Sequence, residues 1–231
     1  MREPIRIYIG YDPEAEPVAY HVCVDSIIRN ASRPVSITPL ALKSLTADYV
    51  ETHKDGSNQF IYTRFLIPWM ERWWGFAIFL DGDMILREGV DIAELWDLRD
   101  PYKAVQVVQH PDYQTKHPVK YLGAKNEDYA RKNWSSVMIW NCGHYGNRSL
   151  RPESVSMMTG EQLHRFSWLP EDRIGALPEE WNRLVLEQDV RPTDKLLHYT
   201  IGTPCFEAYR DCDRADEWHR AAAAAFYHKE V

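Results

Sequence analysis

Apolar and polar residues alternate through IRIYIGYDP (residues 5–13) and the pattern stops at Asp-Pro, which predicts a first strand followed by a loop. In the next segment, EPVAYHVCVDSIIRNAS, Ala19, Val22, Cys23 and Ile27 recur at the spacing of one helical face. VSITPLAL (35–42) reads as a second strand, and strand–helix–strand is how an α/β layer begins. FIYTRFLIPWMERWW (60–74) predicts a helix, with Pro68 in a first turn or at a kink. FAIFL (76–80) is apolar at every position, as expected of a central strand covered on both faces. Further along, DIAELWDL (91–98) predicts a short helix, 104–109 and 135–141 strands, 152–166 a helix and KLLHYTIGTP (195–204) a late strand ending at Gly-Thr-Pro. The tail EWHRAAAAAFYH has high helix propensity. There is no internal repeat, low-complexity linker or domain break, so 231 residues read as one α/β domain, 1–231.

Charge narrows the partners. A formal net charge of −7 disfavours nucleic acid, whose phosphates need a basic face. It leaves room for a small phosphorylated ligand, because a divalent cation bridges acid to acid. The four cysteines form no CxxC pair, so a zinc knuckle or redox dithiol is not expected. The N-terminus MREPIRIYIG lacks the apolar core of a signal peptide, and no apolar run reaches membrane length. The expectation is a soluble cytoplasmic protein with reduced thiols and no transmembrane segment. Oligomeric state is not legible.

The chemistry concentrates in AIFLDGDMIL (77–86), where an apolar run ends in two carboxylates. If strand geometry persists, Asp81 and Asp83 face the same way. Beyond the carboxyl end of an α/β strand they would form a hard-oxygen site for Mg²⁺ or Mn²⁺, with Gly82 allowing close approach of a ligand. The competing reading is an Asp-Gly turn into a hairpin. His198, alone in an apolar strand, is either a hydrogen-bonded core residue or a ligand, and imidazole beside carboxylates suits Mn²⁺. Arg64, among apolar residues, needs a partner: a structural carboxylate, Asp81 or a ligand diphosphate. At 9–13, IGYDP is either an Asp-Pro turn or a grip on a nucleobase edge through Gly10, Tyr11 and Asp12. GxGxxG, GxxxxGK[ST] and GxSxG are all absent.

Taken together, IYIGYDP, IYTRFLIP, FLDGDMIL with DIAELWDL after it, and KLLHYTIGTP resemble, in this order, the motifs of family 8 glycosyltransferases, the glycogenin and bacterial galactosyltransferase group. The resemblance implies a GT-A type fold with a central mixed, mostly parallel sheet flanked by helices. It implies transfer from a nucleotide-sugar donor, UDP-linked in this family, with retention of anomeric configuration, to a carbohydrate or lipid-linked acceptor. Carried over, Asp81, Asp83 and His198 would be Mn²⁺ (or Mg²⁺) ligands. Ile9, Gly10, Tyr11, Asp12, Gly82 and Gly202 would lie along the nucleotide, and Arg64 on the donor side. Asp81, Asp83 and Arg64 would carry the catalysis.

Three segments depart from the family. GTPCFEAY lacks the lysine that usually follows the late His-x-x-Gly, so the diphosphate must be held otherwise. NWSSVMIWN puts Trp134 near the Asn of the family's Asn-Ala-Gly turn, and TGEQLHRF stands where an Asp-Gln-Asp segment is expected. Trp168, Trp181, Asn182 and His164 either line an acceptor side or anchor a surface loop, while Asp172, Glu179 and Glu180 cannot be set against a sugar. The rival readings are a nucleotide-sugar binding protein without transfer, and a HAD-type Asp-x-Asp phosphatase, whose motif normally lies near the N-terminus.

Overall fold

The computed structural model describes residues 3–54 and 58–227. Six strands form the main sheet: β1 (Ile5–Gly10), β2 (Val35–Leu40), β3 (Phe76–Leu80), β5 (Val105–Val108), β6 (Val137–Asn141) and β7 (Ile174–Leu177). Between β3 and β5 comes β4 (Met84–Leu86), which joins β8 (Arg183–Leu184) and β9 (Leu196–His198) in a smaller sheet. The main sheet runs β2-β1-β3-β6-β5-β7. Within it β1 is parallel to β2 and β3, β5 is parallel to β7, and β6 is antiparallel to both its neighbours.

The expected two-sided burial of residues 76–80 has a direct cause. Phe79 packs into a cluster with Tyr8, Phe65, Trp140 and Phe166 on one face. Ile78 and Leu80 pack on the other face with Ile5, Ile7, Ile9 and residues of helix α1 (Pro17–Asn30). Each such side chain contributes ~1.5–3 kcal/mol by leaving water.

The stretch 60–74 is not one helix. It is a turn, a 3₁₀ segment Thr63–Leu66 and a single helical turn α2 (Ile67–Met70). Pro68 can start a helix but not continue one, and Arg72 and Trp73 then take positive φ (53° and 54°) before Gly75. Helix α3 (Ile92–Trp96) is closed by a capping box between Asp91 and Glu94. The helix expected over 152–166 divides into α4 (Pro152–Met157) and α5 (Gly160–His164), because Thr159 and Gln162 form a second capping box that restarts it. The late strand stops at His198, shorter than expected, and Tyr199 onward turns away. Helix α6 (Ala215–Phe226) forms in the alanine-rich tail, and His228 lies outside the described residues. Its Trp218 joins Val22, Ile85, Leu197 and Tyr199 in a third cluster that ties α1 to the small sheet.

Candidate metal and donor site

Asp81, Gly82 and Asp83 form the link between the two sheets. The chain leaves the main sheet at Leu80, turns at Gly82 and Asp83, and enters the small sheet at Met84. It is therefore a turn, as one reading of Asp-Gly held, but not a hairpin, since β4 pairs with β9 instead of β3. Strand alternation does not orient the two carboxylates; the turn does. Gly82 is required by the fold: a Cβ there would lie 2.3 Å from the backbone oxygen of Gly10. The close approach once expected of a ligand is made by the end of β1.

Strand register brings in the third group. In the antiparallel β4–β9 pair Met84 opposes His198, and the Tyr199 amide donates to the Asp83 carbonyl at 3.0 Å. His198 Nε2 thereby stands 3.3 Å from Asp83 Oδ1 and 3.9 Å from Asp81 Oδ2. One ligand atom from each of Asp81, Asp83 and His198 lies within 4.8 Å of the others.

The imidazole is locked from behind. Asn182, fully buried, accepts at its Oδ1 from His198 Nδ1 at 2.9 Å, and its Nδ2 donates to the Asn133 carbonyl at 3.2 Å and to His110 Nε2 at 3.1 Å. An amide oxygen can only accept, so Nδ1 carries a proton, and Nε2 is the ring nitrogen turned to the space between the carboxylates, where it would ligate a metal. Burial pushes the His110 pKa down to about 4, and the nearby His198 adds to the effect, so His110 accepts as a neutral ring.

The carboxylates resist being charged together. Burial raises the Asp81 pKa and the charge of Asp83 adds to this, although Arg64 opposes both. Burial also works against Asp83, but His198, Lys120 and a backbone hydrogen bond together outweigh it and hold its pKa low. Asp81 Oδ1 and Asp83 Oδ1 are buried without a well-aligned hydrogen bond, each facing only an ion-pair partner. Two acidic oxygens and a ring nitrogen around one point suit Mn²⁺ or Mg²⁺, which would supply the charge that this cluster lacks.

Arg64 is buried, 2.8 Å from Asp81 Oδ1, and donates to the Ser135 carbonyl at 2.8 Å. Its guanidinium lies over Phe79 at 4.7 Å. Asp81 is thus its carboxylate partner, and it also lines an open cleft with Asp81, Asp83, Lys120 and His198. The space along this cleft, open to solvent, is about 540 Å³. A smaller pocket of about 260 Å³, lined by Gly10, Asp12, Glu16 and Gly82, shares Phe60, Asp83 and Tyr121 with it.

The nucleotide-side residues fare unevenly. Gly10 reaches the smaller pocket, and a Cβ there would strike the Phe60 ring at 2.3 Å. Asp12 lines the same pocket but is fully engaged: Oδ1 accepts from the Glu14 and Ala15 amides and Oδ2 from the Gln59 amide, each at 3.0 Å. It closes a loop, as the Asp-Pro turn reading held. The Ile9 side chain is in the core and Tyr11 packs on Tyr20 with ring centroids 4.7 Å apart; neither lines the pocket. Gly202 is outside both cavities and makes room for Tyr209, whose ring would be 2.5 Å from its Cβ.

The acceptor-side candidates scatter as well. Trp181 is buried in the core and Trp168 packs against Phe65 and Trp140. Only His164 faces the cleft, with Nδ1 2.7 Å from Ser135 Oγ. Glu179 pairs with Arg183 and Arg191, Glu180 with Lys195 and Asp172 with Arg173, all away from the cleft lining.

Comparison with known proteins supports this architecture. No family model matches the chain. Protein CDI of Arabidopsis thaliana is 43% identical over 225 residues, which cover 94% of this chain and 85% of that protein. The chain belongs to the Protein CDI family. Among solved structures, the WbbM bifunctional glycosyltransferase superposes with a TM-score of 0.69 at 16% identity, over 96% of this chain and 50% of its own. This chain thus spans about half of WbbM. GlyE of Streptococcus pneumoniae TIGR4 gives 0.60 at 14% identity, over 95% and 60% of the two chains. Galactosyltransferase LgtC, solved with donor and acceptor sugar analogues, gives 0.57 at 13%, over 98% of both chains. These likenesses establish the GT-A fold.

Two cleft residues escaped sequence reasoning. Lys120 enters from the β5–β6 connection, and Glu16 from the start of α1. Burial lowers the Lys120 pKa while Asp83 and Asp81 hold it up. Burial, reinforced by the charge of Asp83, raises that of Glu16 to about 8, and the Thr203 hydroxyl donates to its carboxyl. Neither has a local signal: Lys120 sits in a loop and Glu16 follows Asp12 and Glu14 at a helix start, with nothing in the pattern to single either out.

Proposed function

We propose that this protein is a metal-dependent glycosyltransferase that moves a sugar from a nucleotide-sugar donor to an acceptor. The observation that carries the reading is the Asp81–Asp83–His198 cluster with its Asn182-locked imidazole, at the carboxyl end of β3 in a GT-A fold. Asp81, Asp83 and His198 would hold Mn²⁺ or Mg²⁺. Once bound, the ion would offset the negative charge of the departing diphosphate. Arg64 fixes Asp81 and presents its guanidinium to the same cleft. Gly10 and Gly82 line the nucleotide-side pocket, with Asp12 bracing its wall.

The motif resemblance supports a family 8 type of enzyme, a UDP-sugar donor and retention, with a carbohydrate or lipid-linked acceptor. Among the described residues, no carboxylate other than Asp81 and Asp83 lines the larger cleft. This favours attack from the face that the phosphate leaves over a covalent glycosyl–enzyme route.

The test is turnover. UDP-glucose, UDP-galactose, UDP-xylose and UDP-N-acetylglucosamine are each incubated with protein and Mn²⁺, and UDP release is followed with and without EDTA. Metal-dependent release that Asp83→Ala abolishes is the expected result. Tight metal-dependent binding without release from any donor would favour the non-transferring reading instead.

A further inference from the structure

The donor reading leaves unassigned a primary amine that shares the cleft with two carboxylates. We propose that Lys120 grips the donor's diphosphate, taking over from a different loop the task of the lysine missing after His198. The inference rests on the donor reading and goes beyond it by naming the residue that completes the anion site.

Position comes first. Lys120 lines the same cleft as Arg64, Asp81, Asp83 and His198, and its Nζ donates to Thr200 Oγ1 at 3.0 Å. Thr200 is two residues beyond His198. The amine thus reaches, from 80 residues away in sequence, the very segment from which it would otherwise be expected.

The lysine is also held in place. Its backbone amide donates to Ala124 O at 2.8 Å, the Tyr121 amide to Ile201 O at 2.8 Å, and the Tyr121 ring stacks on Phe206 with centroids 5.1 Å apart. At the base of the loop, buried Glu187 accepts from the Lys116 amide at 2.8 Å and from Thr115 Oγ1 at 3.1 Å. Such bracing orients a side chain before a ligand arrives.

Charge completes the case. Among the described residues, no carboxylate lies within 4.0 Å of Lys120 Nζ, whereas Arg64 is committed to Asp81. A lysine serving only as a counter-charge would close on an acid, and this one stops at a hydroxyl. Among the described residues, Asp81 and Asp83 are the acids that line this cleft, and Arg64 and Lys120 are its arginine and lysine. A divalent ion on the two acids would leave the Lys120 amine to face the negative charge of a diphosphate.

The experiment is calorimetric binding of UDP and of uridine, each with Mn²⁺, and of Mn²⁺ alone, to wild type, Lys120→Met and Lys120→Arg. If GDP, CDP or ADP is the nucleotide that binds wild type, it and its nucleoside replace UDP and uridine. Loss of a charge-assisted contact predicts UDP binding weaker by roughly 10- to 100-fold in Lys120→Met. Uridine affinity should be unchanged, Mn²⁺ affinity unchanged or tighter, and Lys120→Arg should recover part of the loss. UDP bound as tightly by a folded Lys120→Met overturns the proposal, as does a loss shared equally by uridine. If Lys120→Met does not fold, Thr200→Val, which only unhooks the amine, should still lower UDP but not uridine affinity; equal UDP affinity there also overturns it. Failure of wild type to bind any of the four diphosphates would sink the donor reading itself, a result separable from failure of the lysine variants alone.

Discussion

Asn182→Leu is the substitution that most sharply separates a metal site from an incidental cluster of acids. Asn182 is fully buried and its Oδ1, 2.9 Å from His198 Nδ1, fixes the ring so that Nε2 faces Asp83 and Asp81. Leucine keeps the volume and removes the acceptor. The His198 Nδ1–H is then buried without a partner, which costs ~1–3 kcal/mol unless the ring turns or shifts its proton to Nε2. Either escape removes the lone pair from the metal position. Loss of such an outer-shell partner typically weakens metal binding by ~10–100-fold. The assay is titration with Mn²⁺ followed by the paramagnetic resonance signal of free ion, with thermal melting in EDTA as a control for folding. Asn182→Asp keeps an acceptor for Nδ1 and should retain more Mn²⁺ affinity than Asn182→Leu. A folded Asn182→Leu protein with wild-type Mn²⁺ affinity would refute the claim that the imidazole is held for a metal.

Other consequences concern the frame around the site. Gly82→Ala should destabilise the protein by ~2 kcal/mol or more in denaturant titrations, because its Cβ meets backbone oxygen 2.3 Å away and not a movable side chain. Glu187→Ala should expose the 113–133 loop to limited proteolysis and weaken nucleotide binding without lowering Mn²⁺ affinity, since Glu187 braces Lys116 and Thr115 and is not at the cation position. Stability should fall as pH drops from about 6.5 toward 4: His110 takes up its proton near 6.5 when unfolded but only near about 4 when folded. The unfolded state therefore binds more protons across that window, a difference of ~3 kcal/mol that His110→Gln should flatten in melts at successive pH values.

The sequence made some of this legible and hid the rest for identifiable reasons. Residues 76–80 announce a central strand because Phe79 and Ile78 feed different clusters, which a continuous apolar run records. Asp81 and Asp83 are visible as acids one residue apart, but their convergence depends on a turn between two sheets that periodicity does not encode. His198 alone looks like a core histidine, and it is the order of motifs that lifts it out; what places it is the β4–β9 register. Asp12 and Ile9 matched a motif yet serve the scaffold, one closing a turn and the other filling the core. Lys120 had no such signal, because its relation to the site rests on the Tyr121–Ile201 bond between segments far apart in sequence. Residues 60–74 misled because their apolar density is that of a helix, while Pro68 and the positive φ of Arg72 and Trp73 limit the helix to one turn.

The central claim is that one divalent cation is held at the junction of the two sheets. A crystal grown with Mn²⁺ and UDP, measured on both sides of the manganese absorption edge, puts it to the most direct trial. The account predicts an anomalous peak within coordination distance of Asp81, Asp83 and His198 Nε2. A well-ordered map with UDP bound and no manganese among those three side chains would contradict it.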